Sequence, residues 1–170
     1  GWKYKGELPA EKKAVIISVP HTSNWDFFWG ELAFLSQGIP AFILMKKEFF
    51  FFPLGMILRA LNVIPVDRGN KDSQLVEQMI TEFKQRDSMY LCITPEGSRK
   101  KRKKWKKGFL VIAKAAGVPV YLGRIDYKGK YCEVGPLFYP TEDVDADLAY
   151  IMSTYHDANP KYPENFSNGN

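Results

Sequence analysis

The sequence has little cysteine, which excludes a disulfide-stabilised scaffold. Two cysteines, Cys92 and Cys132, are too few for a framework of bridges. Each lies in an apolar run that is typical of a buried strand. We therefore expect two buried free thiols in a reducing compartment.

Long hydrophobic runs are also missing. A helix that spans a bilayer needs about 20 apolar residues in a row. The longest stretch without a charged side chain, residues 32–45, is shorter and contains Ser36, Gln37, Gly38 and Pro40. No apolar run follows residues 1–5 before the strand-like residues 14–19, so no signal peptide is expected. The sequence predicts no spanning helix between its first and last residues.

Clusters of metal ligands are the third absence. The chain has only two histidines, His21 and His156, and they are far apart in the sequence. No group of ligating residues joins them at the spacings that metal sites use. The sequence therefore predicts no metal site.

What is present suits one folded domain. The chain has 170 residues, 45% of them hydrophobic and 25% charged. The alternating patterns predict strands near 14–19, 41–45, 63–66, 89–94 and 119–125, then a turn and a sixth strand within 126–134. They predict helices near 23–37, 73–85, 108–116 and 145–155. This order predicts an α/β fold, a single domain with a mostly parallel central sheet flanked by helices. We expect its core at about residues 12–157 and a polar tail at about 158–170.

Positive charge is concentrated in one loop. Residues 99–107 hold eight of the 24 basic residues and no acidic one, which leaves 16 basic against 19 acidic residues elsewhere. Such a loop attracts lipid headgroups, a phosphorylated ligand or nucleic acid. The tryptophan within it is typical of a membrane interface, and no nucleic-acid-binding module is recognisable. The residues predicted to contact a membrane or another anion are Lys100, Lys101, Arg102, Lys103, Lys104 and Trp105.

Residues 49–61 are apolar almost throughout, with interruptions at Pro53 and Gly55. The pattern fits a core helix that is entered through a turn at Pro53. It fits equally an exposed apolar surface that receives an acyl chain or contacts lipid.

Polar residues that could perform chemistry follow three of the predicted strands. The carboxyl ends of parallel strands meet at one edge of a sheet, where functional groups gather. His21, Arg68 and Glu96 each come just after a strand, so we expect them at the same edge.

His21 begins a strand-to-helix turn, and Asp26 lies one turn into the helix. A carboxylate that holds one ring nitrogen as N–H leaves the other free to accept a proton, which makes a general base. The same segment fits a capping box, in which Ser23 begins the helix and Asp26 binds back to its amide. The motif alone favours capping, and the two interpretations are compatible.

Two further segments are suited to bind an anion. Gly97 permits a tight turn that exposes backbone N–H groups beside Ser98 and Arg99. Arg68 could bind a phosphate with two hydrogen bonds. The alternatives are a plain polar turn after a strand and an exposed arginine paired with Asp67.

Taken in order, four segments resemble the motifs of the glycerophospholipid acyltransferase superfamily, and within it the 1-acylglycerol-3-phosphate acyltransferases. The first is His21-Thr-Ser-Asn-Trp-Asp26, and the second is Ile-Pro-Val-Asp-Arg at 64–68 with Lys-Lys-Glu before it at 46–48. The third is Thr-Pro-Glu-Gly-Ser-Arg at 94–99, where threonine and serine replace the usual phenylalanine and threonine. The fourth is Gly-Val-Pro-Val at 117–120.

The resemblance implies transfer of a fatty acyl group from acyl-CoA or acyl carrier protein to the hydroxyl of a lysophospholipid such as 1-acylglycerol-3-phosphate. It implies that His21 and Asp26 are catalytic and that no cofactor is needed besides the thioester co-substrate. The substrate-binding residues that it implies are Arg68, Glu96, Gly97, Ser98, Arg99 and Pro119. Many members carry an N-terminal membrane helix that is not seen here, so we expect a cytoplasmic protein bound peripherally at the inner face of the cell membrane.

Two other functions stay open on the residues alone. A non-catalytic module could bind anionic lipid through residues 99–107 without any role for His21. The same residues could bind nucleic acid, with a steep dependence on salt.

Overall fold

A sheet of eight strands, parallel in most of its pairs, forms the centre of the domain in the computed structural model, which describes residues 1–7, 9–67 and 72–168. The strands are β1 (Lys3–Lys5), β2 (Lys13–Val19), β3 (Ala41–Lys46), β4 (Val63–Val66), β5 (Met89–Ile93), β6 (Val120–Asp126), β7 (Tyr131–Glu133) and β8 (Leu137–Phe138). Their order is β1-β7-β6-β2-β5-β3-β4, with β8 also beside β6. Among the described strands, only the pairs that β6 forms with β7 and β8 are antiparallel.

Five helices flank this sheet, which confirms the predicted α/β fold. They are α1 (Trp25–Ser36), α2 (Leu54–Ala60), α3 (Asp72–Gln85), α4 (Gly108–Ala116) and α5 (Val144–Ser153), with two 3₁₀ turns, Lys47–Phe49 and Pro163–Asn165. The pattern does not predict β1 and β8, because strands of three and two residues are too short to show a period. Since β1 pairs with β7, the fold begins before the predicted start of the core.

The middle strand of the sheet, β2, is held firmly by its neighbours. It lies between β5 and β6 and is parallel to both, so its apolar residues are covered on both faces. The four residues Ala14, Val15, Ile16 and Ile17 are almost fully buried. The chain that leaves β2 therefore starts from a rigid position.

The direction of the crossovers distributes the helices over the two faces. The chain moves toward the β4 edge through α1 and α2, and it returns through α3 and α4. Because such crossovers are right-handed, α1 and α2 lie on one face, and α3 and α4 lie on the other. The second face has the larger core, in which α5 takes part, and its members from these helices include Met79, Phe83, Phe109, Leu110, Leu148 and Ile151.

The end of the chain, predicted as a polar tail, packs against the domain. The Trp105 indole N–H donates to the Ser167 carbonyl oxygen at 2.9 Å. The backbone N–H of Tyr162 donates to the Thr22 hydroxyl at 3.3 Å. Trp105 is only 4% exposed, which corrects the prediction that its indole faces a membrane.

In residues 1–7, 9–67 and 72–168, none of the helices combines the length and the apolar composition that crossing a bilayer requires.

Candidate active site

The carboxyl ends of three adjacent strands bring the site together. His21 follows β2, Glu96 follows β5, and Tyr127 follows β6. The register pairs Val19, the last residue of β2, with Arg124, and β6 continues two residues further, so both strands end at the same edge of the sheet. The sheet-edge rule therefore predicted the meeting of His21 and Glu96 correctly.

The Asp26 carboxylate is the best-held group of the site. It is 3% exposed and lies in the first turn of α1. Its Oδ2 accepts the backbone N–H groups of Thr22 at 2.7 Å and Ser23 at 2.8 Å. Its Oδ1 accepts the Tyr127 hydroxyl at 2.6 Å. Donors from two elements thus fix the orientation of the carboxylate.

Helix α1 begins one residue later than the sequence predicts. Asn24 is the residue that precedes the helix, and its side chain makes no capping bond. The Ser23 hydroxyl instead accepts the backbone N–H of Trp25 at 3.1 Å. Asp26 binds back to the Ser23 amide, as in a capping box. The aspartate therefore organises the turn and also faces the histidine.

His21 is within reach of this carboxylate and of solvent. Its Nδ1 lies 3.2 Å from Asp26 Oδ2, and its side chain is 20% exposed. The two atoms are not aligned as a hydrogen bond in this state. Such bonds often align only when substrate binds. The arrangement leaves Nε2 as the nitrogen that can meet a substrate.

Glu96 is a buried carboxyl beside the pair. Burial raises its pKa to about 8, the negative charge of Asp26 adds to the rise, and a hydrogen bond with the His21 backbone opposes it. The carboxyl is therefore mostly protonated at neutral pH. Its Oε2 is buried and has no hydrogen-bond partner among the described residues. Glu96 can thus donate or accept a hydrogen bond without adding a full negative charge.

The turn after Glu96 is connected to the turn between His21 and Asp26. The Arg99 guanidinium donates to the side-chain oxygen of Asn24, which lies between His21 and Asp26 in sequence. Gly97 has φ of +65°, a left-handed conformation that favours glycine. The Ser98 hydroxyl accepts the backbone N–H of Lys100 at 3.0 Å, so Ser98 stabilises the turn.

Not every predicted residue reaches this edge. Pro119 precedes β6 and accepts the amide of Val15 near the start of β2, so it lies toward the opposite end of these strands from His21. The fourth motif therefore contributes to the core and not to the site. Arg68 lies outside the described residues. The side chains of Lys100, Lys101, Arg102, Lys103 and Lys104 are exposed, and their contact with an anion stays a prediction.

Tyr127 is the functional residue that the motifs do not reveal. It lies beyond the four recognised segments, and no sequence pattern connects it with Asp26, 101 residues away. One signal was present, since Tyr127 lies two residues after the predicted strand 119–125 and the edge rule applies to it as well.

The comparisons agree with this geometry. The Acyltransferase family model matches residues 3–122, which include His21, Asp26 and the turn at Glu96. No curated protein and no solved structure matches the chain significantly. On the family match, which covers well over half of the chain, the protein belongs to the Acyltransferase family, that of the glycerophospholipid acyltransferases, and this supports a general acyltransferase role.

Proposed function

We propose that the protein transfers a fatty acyl group from a thioester donor to the hydroxyl of a lysophospholipid such as 1-acylglycerol-3-phosphate. The observation that supports this most strongly is the pairing of a buried, doubly anchored carboxylate with a partly exposed histidine. Asp26 is held through both oxygens, and its Oδ2 lies 3.2 Å from His21 Nδ1. This is the arrangement of a general base for an alcohol.

In the proposed reaction, His21 Nε2 removes the proton of the acceptor hydroxyl as its oxygen attacks the thioester carbonyl carbon. A new C–O bond forms, and the carbonyl oxygen takes the negative charge. When this intermediate collapses, the C–S bond breaks and the ester remains. The departing thiolate takes the proton back from His21. Asp26 stabilises the positive imidazolium between the two proton transfers.

The acceptor's polar end is proposed to bind at the turn after β5. The Arg99 guanidinium, held near Asn24, supplies positive charge for a phosphate. Glu96 is mostly neutral at pH 7, because burial raises its pKa to about 8, so it does not repel an anionic acceptor. Its Oε2, which has no hydrogen-bond partner in the described part of the chain, can bind a glycerol hydroxyl beside His21.

The thioester donor is proposed to use the basic loop. A groove of about 580 Å³ separates this loop from α5, and its lining includes Lys103, Lys104, Lys107 and His156 beside the apolar Met152. Clustered cations next to an apolar wall suit the phosphates of acyl-CoA or the acidic surface of acyl carrier protein. The proposed reaction requires no further cofactor.

The test is the release of free thiol from palmitoyl-CoA, or from palmitoyl acyl carrier protein, with and without lysophosphatidic acid. We expect release that requires the lysolipid and is lost in His21→Ala. Gln78→Ala is the matched control, because Gln78 is an exposed, uncharged residue of α3, outside the proposed catalytic and binding residues. The proposal is contradicted if both variants lose thiol release equally, or if thiol release does not depend on the lysolipid.

A further inference from the structure

In helix α1 the charged side chains are buried and the largest apolar side chains are exposed. Its only two charged residues, Asp26 and Glu31, are 3% and 8% exposed. Four large apolar side chains, spaced three or four residues apart along one stripe, are instead 43–55% exposed: Trp25, Phe28, Leu32 and Leu35. A helix on the surface of a protein in water has the opposite arrangement.

Burial of Glu31 shows that this orientation is costly. Its Oε2 has no hydrogen-bond partner among the described residues, and burial raises its pKa. An unpaired buried polar group opposes folding. The fold nevertheless presents the apolar stripe outward, which is favourable only where something apolar covers it.

A second apolar group lies on the same face of the sheet. Five side chains around the start of α2 are 48–83% exposed: Phe49, Phe51, Phe52, Met56 and Ile57. The right-handed crossovers place α1 and α2 together, opposite α3 and α4. We call these nine side chains the α1–α2 surface. Nine large exposed apolar side chains on one face exceed the scattered apolar residues that any protein exposes.

Positive charge borders the α1–α2 surface. The Lys161 ammonium lies 5.1 Å from the centre of the Trp25 ring, and Arg59 lies over the Phe50 ring at 5.5 Å. Lys46 is exposed at the end of β3. Aromatic and aliphatic side chains with cations around them match the acyl and headgroup layers of an anionic bilayer. A protein partner would not require both the apolar side chains and the surrounding cations.

The position of the surface connects it with the site. Trp25 lies at the start of α1, one residue before Asp26, and Phe49 follows the carboxyl end of β3. The surface therefore begins at the same sheet edge as His21 and extends about 15 Å along α1. A bilayer on this face would present a lipid acceptor directly to the site.

We infer that the α1–α2 surface docks the protein onto a bilayer with anionic headgroups, with these apolar side chains in the interface and the active-site edge toward the lipid. The lipid-delivery role rests on the proposed function, whereas binding itself does not. The basic loop, which was the sequence-based candidate for membrane contact, is not part of this surface, and its contact with an anion stays a prediction.

The experiment is flotation with vesicles of equal parts phosphatidylcholine and phosphatidylglycerol, without any acyl donor. We expect the double variant Leu35→Glu/Met56→Glu to bind at least about tenfold more weakly than the wild type, because two exposed apolar side chains that would enter the bilayer interface become charged. The matched control is Val111→Glu/Tyr150→Glu, which adds the same charge at exposed apolar positions on the opposite face and should bind at most slightly more weakly.

A second measurement tests which side chains contact the lipid in the bound wild-type protein. Lipids brominated in their acyl chains should quench the fluorescence of Trp25, and Trp25→Phe should remove most of this quenching while Trp105→Phe keeps it. Equal binding of the double variant and the wild type overturns the inference. So does a stable dimer that Leu35→Glu/Met56→Glu dissociates, because a second copy would then cover the surface. His21→Ala should bind vesicles normally, which separates this result from the test of catalysis.

Discussion

The hydroxyl of Tyr127 donates a hydrogen bond of 2.6 Å to Oδ1 of Asp26. This bond joins the segment that follows β6 to the first turn of α1. Burial, followed by the hydrogen bond and the charge of Asp26, raises the pKa of Tyr127, so the hydroxyl stays protonated as a donor. The ring is held in turn by Trp2, whose ring centre lies 5.1 Å away in an edge arrangement. Tyr127 therefore fixes which carboxylate oxygen faces His21.

The first prediction concerns this positioning role. Tyr127→Phe keeps the ring packing and removes the donor, so we expect about a tenfold lower kcat with little change in KM, because the carboxylate gains freedom beside His21. The free energy of unfolding should fall by about 1–2 kcal/mol. Tyr139→Phe, at an exposed tyrosine, is the control. An unchanged kcat at the same loss of stability would mean that Tyr127 is only structural.

The second prediction separates His21 and Asp26, the proposed catalytic pair, by their effects on stability. His21→Ala should abolish activity with less than about 1 kcal/mol loss of stability, because a partly exposed turn residue has few packing contacts. Asp26→Ala should abolish activity and also lower the free energy of unfolding by about 2–4 kcal/mol. It leaves two backbone N–H groups and the Tyr127 hydroxyl without their acceptor. Chemical denaturation of both variants checks this, and similar losses would contradict the assigned roles.

The third prediction uses the raised pKa of Glu96. Its value of about 8 in the folded protein lies above the ordinary 4.5, so between these pH values the folded state binds a proton that the unfolded state releases. The stability due to Glu96 is therefore complete below about pH 4.5 and is lost as the pH rises through about 8. Glu96→Gln resembles the protonated acid and has no such dependence.

Denaturation of wild type and Glu96→Gln at about pH 5 and about pH 9 measures this difference. The wild type should lose stability relative to the variant at the higher pH by a few kcal/mol. Parallel pH dependence in the two proteins would show that Glu96 is ionised in the folded state at neutral pH. The proposal of a neutral acceptor-binding carboxyl would then be wrong.

The sequence predicted local features well and long-range partners poorly. Residues 14–19 form a buried strand because their β-branched side chains suit both faces of a sheet, and His21 and Asp26 meet because they are only five residues apart. Tyr127 was not predicted, because its contact with Asp26 depends on how β6 lies beside β2. The outward apolar stripe of α1 was also not predicted, since a helix that is apolar all round gives no preferred side.

Trp105 shows how neighbours in sequence can mislead. Six lysines and two arginines surround it, which predicted an exposed interfacial indole. Its burial depends instead on Ser167, 62 residues away, and on the rings of Tyr155 and Phe166 at 5.8 and 6.5 Å. The indole thus anchors both the basic loop and the end of the chain to the core.

The last prediction follows from this anchoring. Trp105→Ala should lower the free energy of unfolding by about 3–5 kcal/mol, because it leaves a large cavity and removes the hydrogen bond to the Ser167 carbonyl oxygen. Replacing the neighbours Lys103 and Lys104 by alanine should change stability by less than about 0.5 kcal/mol, because both are exposed. Thermal denaturation compares the two. If Trp105→Ala were as stable as the lysine variant, the indole could not be part of the core, and an interfacial role for it would have to be restored.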